Sequence, residues 1–413
     1  MHKLHKICLM LPAFFAVCFL FACTISEDGA APSSEPVKLQ SEGPTVITSG
    51  PTLPPEPPEL TAARALLAKL SDTEKIAQLF IVRPEDLNLT PEEPQQPVTE
   101  FTPRMEEALR RYPVGGICIF HQNLTSPEQI QALNRALGQV GPVPMFLSVD
   151  EEGGSVARLA NHPGFDLPRY RSAGAVGASE DPSDAYAMGH TIGSYLKEFG
   201  FNMDFAPVAD VNTNPSNPVI GNRAFSSDPV LAATLARAAA DGLQDAGIIP
   251  VFKHFPGHGD TAEDSHQGLA VSHQPLAHQR QTEWLPFRQA GEAHCIMVGH
   301  IALPELGEPL VPASLSKPVV TDILREELGF GGLIVTDSLS MGAITQTYSS
   351  AEAAIRAFEA GCHLILMPED FPAAVLGMEE ALDSGRISME QLNQRVLEIL
   401  LFKFHAGLME PTA

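Results

Sequence analysis

Cationic side chains are scarce in this chain. Its 413 residues carry 26 Lys and Arg against 50 Asp and Glu, a formal net charge of −24. That balance speaks against a polyanion partner, and so against nucleic acid, and for a soluble surface that repels its own kind. Cysteine is sparse as well. Of six, Cys8, Cys18 and Cys23 lie near the N-terminus, while Cys118, Cys295 and Cys362 each sit inside an apolar, strand-like run. Such placement predicts buried thiols, with neither a disulfide framework nor metal-ligand spacing. No apolar run reads as a membrane span: Ile7 to Ala22, at 16 residues, falls short of the roughly 20 that a spanning helix needs.

That run follows Lys3 and Lys6, which gives residues 1–22 the shape of a secretory signal peptide. Leu20-Phe21-Ala22-Cys23 resembles a bacterial lipobox, with Phe21 bulkier than the small residue usual there, so Cys23 is the expected lipid attachment point. Plain secretion and an uncleaved anchor are the alternatives. The reading predicts an exported protein, tied through its N-terminal lipid to the extracytoplasmic face of a bacterial membrane. Residues 23–60 are rich in Pro, Ser and Glu, a composition that buries too little apolar surface to offset its ordering entropy. They read as an extended tether, the alternative being an ordered arm on the folded part.

Residues 61–413 can bury one large core. Eight short apolar runs recur: Leu79 to Val82, Gly116 to Phe120, Met145 to Val149, Met203 to Ala206, Ile249 to Phe252, Cys295 to Val298, Leu333 to Thr336 and His363 to Met367. They are too short for buried helices and mostly continuous rather than alternating, as parallel strands covered on both faces should be. Helical patterns separate them, among them Pro127 to Leu137, Asp184 to Glu198, Pro229 to Ala246 and Ser316 to Leu328. Strand and helix alternating about eight times predicts an α/β fold, a (β/α)8 TIM-like barrel in one domain. Ser71-Asp72-Thr73-Glu74 reads as a capping box, Ser388-Met389-Glu390-Gln391 opens a last helix, and Gly407 is a plausible stop with no second domain expected after it.

Barrels place their chemistry at the carboxyl ends of the strands, so the polar residue closing each run is the one to inspect. Strand three ends in Asp150-Glu151-Glu152-Gly153-Gly154, strand five in Lys253-His254, strand six in His300 and strand seven in Asp337. From Lys253 to His266 three imidazoles, an ammonium and several carboxylates share a loop with Gly and Pro. Zinc competes for these residues, since His254 and His258 stand four apart and Asp260, Asp264 and His266 follow. Yet Pro256, Gly257 and Gly259 forbid the helix that would put both histidines on one face, and no metal is expected. Satisfying buried backbone groups is the remaining structural role for these histidines. Arg158 and Arg223, taken alone, would read as surface ion-pair partners. The insert from Arg83 to Pro103 reads either as a subsite wall or as surface decoration.

The loop Lys253 to His266 and the strand-seven run Thr336-Asp337-Ser338-Leu339-Ser340-Met341 closely resemble the glycoside hydrolase family 3 β-N-acetylglucosaminidases of single-barrel type, over roughly residues 62 to 409. The resemblance implies a retaining hydrolase of terminal β-linked N-acetylglucosamine, acting on peptidoglycan fragments or chitin oligosaccharides without a cofactor. It implies Asp337 as nucleophile and the dyad Asp264 with His266 as general acid and base, a role that residue types alone leave open. It matches Asp150 and Arg158 to the hydroxyl-binding pair, with Glu151 where Gln is more usual. Arg223 falls in the Asn-Arg-x-Phe motif, Lys253 and His254 on the Lys-His pair, and Met297 and His300 take supporting places at the same rim. A related β-glycosidase or an N-acetylglucosaminide phosphorylase of the family is the nearer alternative. A non-catalytic sugar-binding lipoprotein is the further one.

Overall fold

Short runs rich in Ile, Val and Phe, covered on both faces, settle as strands because branched and aromatic side chains fit a pleated, buried surface. The computed structural model describes residues 56–87, 96–262, 268–292, 294–307 and 310–411. Its eight barrel strands are β1 (Phe80–Val82), β2 (Gly116–Ile119), β3 (Phe146–Val149), β4 (Met203–Asp204), β5 (Ile249–Phe255), β6 (Cys295–Val298), β7 (Leu333–Thr336) and β8 (Ile365–Leu366). Every residue in them is buried. Each strand pairs in parallel with its successor from β1 to β7, and β8 pairs with β1. A bridge between Val335 and Leu364 joins β7 to the run entering β8 and completes the ring. The chain therefore has the (β/α)8 architecture that its alternating pattern predicted.

Helices fill the crossovers. Pro127–Leu137 matches its predicted span, while Pro182–Glu198 begins two residues early because Asp181 caps it through the Ser183 N–H. Pro229–Asp245 is capped by Asp228 in the same way. Pro318–Glu327, expected as an ordinary helix, is wound as a π-helix. Both predicted capping boxes form, at Ser71 with Glu74 and at Ser388 with Gln391. The last helix, Met389–His405, buries Leu392, Val396, Ile399, Leu400 and Lys403 against the barrel. Other boundaries differ from the sequence reading as well. Pro58 to Leu60, assigned to the tether, form the first turn of helix Pro58–Leu67, where Pro at the first helical position needs no N–H partner. Strand β5 runs on through Phe255, so Lys253 and His254 lie within it rather than beyond it. Cys118, Cys295 and Cys362 are buried free thiols, and burial pushes Cys362 up to about 12.

Candidate active site

The carboxyl ends of the strands converge on a cavity of ≈ 520 Å³, and among the residues singled out in the sequence Asp150, Arg158, Arg223, Lys253, His254, Met297 and Asp337 line it. Size alone does not select this cavity. A hollow of ≈ 550 Å³ lies by Met145 and Asn202, under the amino ends of β3 and β4, and one of ≈ 660 Å³ lies between Thr61 and Phe404. Strand-end chemistry belongs to the first, which also takes Phe120 and Arg83 into its wall. Of the described residues of the insert only Arg83 lines the cavity; it pairs with Asp86 at 2.8 Å, and Glu85 accepts from Asn123 at 2.7 Å.

At the centre stands Lys253, 2% exposed, with its ammonium 2.7 Å from Asp150 and 2.6 Å from Glu152. Arg223 grips Glu152 through two bonds of 2.7 and 2.9 Å, and Arg158 reaches Asp150 at 3.4 Å while lying over the Phe120 ring. Burial alone would raise Glu152, but Lys253 and Arg223 bring it down to about 2. The same balance holds Asp150 below the ordinary carboxylate range and raises the Lys253 ammonium. The group stays fully charged and presents a carboxylate, an ammonium and guanidinium forks, the donors and acceptors that polyhydroxylated ligands bind.

His254 and Asp337 line the same cavity. His254 Nδ1 lies 2.7 Å from Asp210 Oδ2, and the Asp210 carboxylate also accepts the His258 N–H at 2.6 Å. Asp337 closes β7, its N–H bound to Val298 O at 2.8 Å and its Oδ1 accepting the Ser338 N–H at 2.7 Å. Burial pushes the Asp337 carboxyl up, but the nearby His300 and His254 and the Ser338 N–H outweigh it and hold the group below its usual range. An ionised carboxylate fixed on a strand end is a competent nucleophile. His300 does not line the cavity; it is fully buried behind the turn, at 2.8 Å from both Ser314 Oγ and Ser338 O.

Asp264 and His266 lie outside the described residues, as do Cys23, the leader and the tether up to residue 55. The described ends of their loop are tied together: Asp260 Oδ2 accepts the Ser272 hydroxyl at 2.7 Å. Among the described residues no three His, Cys, Asp or Glu side chains form a metal-holding group. Glu152 and Asp210 were not assigned roles from the sequence. Glu152 had a usable signal, since a residue two beyond Asp150 on an extended segment shares its face. Asp210 had none, because its partners His254 and His258 are 44 and 48 residues away.

Residues 72–401 match the family model described as glycosyl hydrolase family 3 N terminal domain. Among similar proteins is β-hexosaminidase A of Pseudoalteromonas piscicida, 33% identical over 74% of this chain and 56% of its own length. Another is β-hexosaminidase LpqI of Mycobacterium tuberculosis, 34% identical over 86% of this chain and 88% of its own. Among solved structures, a glycoside hydrolase family 3 β-N-acetylglucosaminidase from Paenibacillus superposes with a TM-score of 0.76 at 36% identity, covering 83% of this chain and 64% of that one. The chain thus spans less than two thirds of the Pseudoalteromonas and Paenibacillus proteins.

Proposed function

The chain belongs to glycosyl hydrolase family 3, and on that footing we propose that it is a retaining β-N-acetylglucosaminidase releasing terminal β-linked N-acetylglucosamine from oligosaccharides, peptidoglycan fragments foremost. One observation carries the reading: Asp337 is held ionised at the end of β7, in the same cavity as the charged group of Asp150, Glu152, Arg158, Arg223 and Lys253. Those side chains hold the sugar hydroxyls in place. An Asp337 oxygen attacks the anomeric carbon as the bond to the leaving oxygen breaks, and His266, backed by Asp264, gives that oxygen its proton. Water then attacks the glycosyl-enzyme, His266 takes its proton, and the Asp337 carboxylate is released. No step calls on a metal or an organic cofactor. The names of the Mycobacterium and Paenibacillus relatives support the sugar specificity.

Steady-state rates on an aryl β-N-acetylglucosaminide test the assignment. Asp337→Asn is expected to lower kcat by ~10³-fold or more while leaving the fold intact. His266→Ala should impair substrates with poor leaving groups far more than activated aryl ones. An unchanged rate in the first variant, or equal losses on both substrate classes in the second, removes the corresponding role.

A further inference from the structure

Arg223 and the pair Asp264 with His266 come from neighbouring loops, the first after β4 and the second after β5. One side chain joins these loops. Asn217 is 7% exposed and does not line the cavity that holds Asp337. Its Oδ1 accepts the Val219 and Ile220 N–H groups at 2.8 and 2.7 Å, shaping the turn that leads to Arg223, whose own N–H donates to Ile220 O at 2.8 Å. Its Nδ2 crosses to the loop after β5, donating to His258 O at 2.7 Å and to Thr261 O at 2.9 Å. Two amide hydrogens meet two carbonyls and one oxygen meets two N–H groups, so a single orientation of the side chain satisfies the place. Asn214 adds a second tie, its Nδ2 donating to Thr261 O at 3.1 Å and its N–H to Gly259 O at 3.0 Å. A Cβ on Gly259 would lie 1.7 Å from Val211 O, so the two loops meet backbone to backbone along this seam.

We infer that Asn217 is a positioning residue for proton donation: it fixes Thr261, three residues before Asp264, against the turn that carries Arg223. Asp337 needs no such help, because it closes a strand held in the barrel ladder. The loop after β5 leaves the ladder at Phe255 and returns at Ala270–Val271, which pair with Ile301–Ala302. Its return side is thus held by a sheet, while its outgoing side beyond His258 is held by Asn217 and Asn214. The kinetic consequence rests on the function proposed above; the seam does not.

Asn217→Asp cuts the tie between the loops selectively. A carboxyl oxygen still accepts from Val219 and Ile220, but a carboxylate has no hydrogen for the carbonyls of His258 and Thr261, and a protonated carboxyl has one where two are needed. Values of kcat/KM report the first step, in which an alkyl β-N-acetylglucosaminide needs the acid and an activated aryl one does not. The variant is expected to lose ~10- to 100-fold on the alkyl substrate and no more than about three-fold on the aryl one. Because Asn217 acts through His266, adding Asn217→Asp to His266→Ala should cost little more on the alkyl substrate. Equal losses on the two substrates, additive losses in the double variant, or a lower thermal midpoint with unchanged kinetics mark a merely structural role and overturn the inference. If Asn217→Asp does not fold, Asn214→Asp, at a half-buried residue, removes one bond of the same seam and must show the same split at smaller size; an equal cost on both substrates overturns the inference there too. Crystal structures of the wild type and Asn217→Asp test the seam without any ligand: Thr261 should move away from the Val219–Ile220 turn, and an unchanged seam overturns the inference. A wild type that cleaves neither substrate defeats the proposed function instead, and the two crystal structures then decide this inference alone.

Discussion

Lys253 is the residue on which the charged wall turns, since the buried carboxylate of Glu152 and the half-buried one of Asp150 face it and it is 2% exposed. Breaking a buried ion group by removing one partner is costly because the remaining charges lose compensation. Lys253→Met should lower stability by about 3–5 kcal/mol near neutral pH. The pH dependence follows from Glu152, whose value is depressed to about 2 in the fold. A depressed acid contributes stability above its unfolded value near 4.3 and loses it as pH falls toward the folded one. The gap between wild type and variant in urea midpoint should therefore narrow as pH is lowered from 4.5 toward 2; a gap constant with pH would count against the pairing. Residues of this cavity were legible in the sequence because Asp150, Lys253 and Asp337 each follow or close an apolar run. Asp210 was not, since its role is set by hydrogen bonds to His254 and His258, partners chosen only by the folded barrel.

Strands were the most legible elements, because eight continuous apolar runs leave little else for the chain to do, and β6 and β7 match their predicted limits residue for residue. Boundaries slipped where tertiary pairing decides. Lys253 and His254 are polar yet strand-bound because β5 pairs with β6 as far as Phe255 with Val298. Nor does apolar spacing distinguish a π-helix from an ordinary one, so Pro318–Glu327 carried no warning. Helix packing gives a prediction of unusual sign. Gly189 lies mid-helix in Pro182–Glu198, where Ala would normally stabilise by about 1 kcal/mol. Here a Cβ would sit 2.0 Å from Ala239 O on helix Pro229–Asp245, and Gly242 meets Tyr186 O at 2.2 Å in the same way. The two helices approach backbone to backbone. Gly189→Ala should therefore destabilise by about 1–3 kcal/mol through overpacking; a thermal midpoint equal to or above that of the wild type would show that the helices can part without penalty.

At the scale of the whole molecule, the barrel is closed at its floor by a lysine from the chain's end. Lys403, in the last helix and fully buried, donates to Gln78 Oε1 and Gly115 O, each at 3.2 Å, and its ammonium lies 4.6 Å from the centre of the Phe146 ring. Those contacts lead into β1, β2 and β3, so one side chain joins the last helix to the first three strands. Burial pulls its value down to about 7, while the two carbonyl oxygens and the ring face favour the ammonium. The unfolded chain holds this proton up to about 10.4. Between these values the unfolded state binds a proton that the folded state sheds, so stability rises with pH across the window. Below about 7 both states hold it and the penalty is flat. Its full extent is of order 5 kcal/mol at most, reduced by whatever the oxygens and the ring return to the charged form. Lys403→Met removes the titration and also takes the Lys403 donor from Gln78 Oε1, while Gly115 O keeps the Phe146 N–H, so the variant's absolute stability is not diagnostic. Its slope is. Between pH 7 and pH 9.5 the unfolding free energy from urea titrations should rise for the wild type relative to Lys403→Met by at least ~1 kcal/mol, all other titrating groups being common to both proteins. Parallel slopes would mean that the ammonium keeps its proton throughout, held by the oxygens and the ring against the burial that surrounds it.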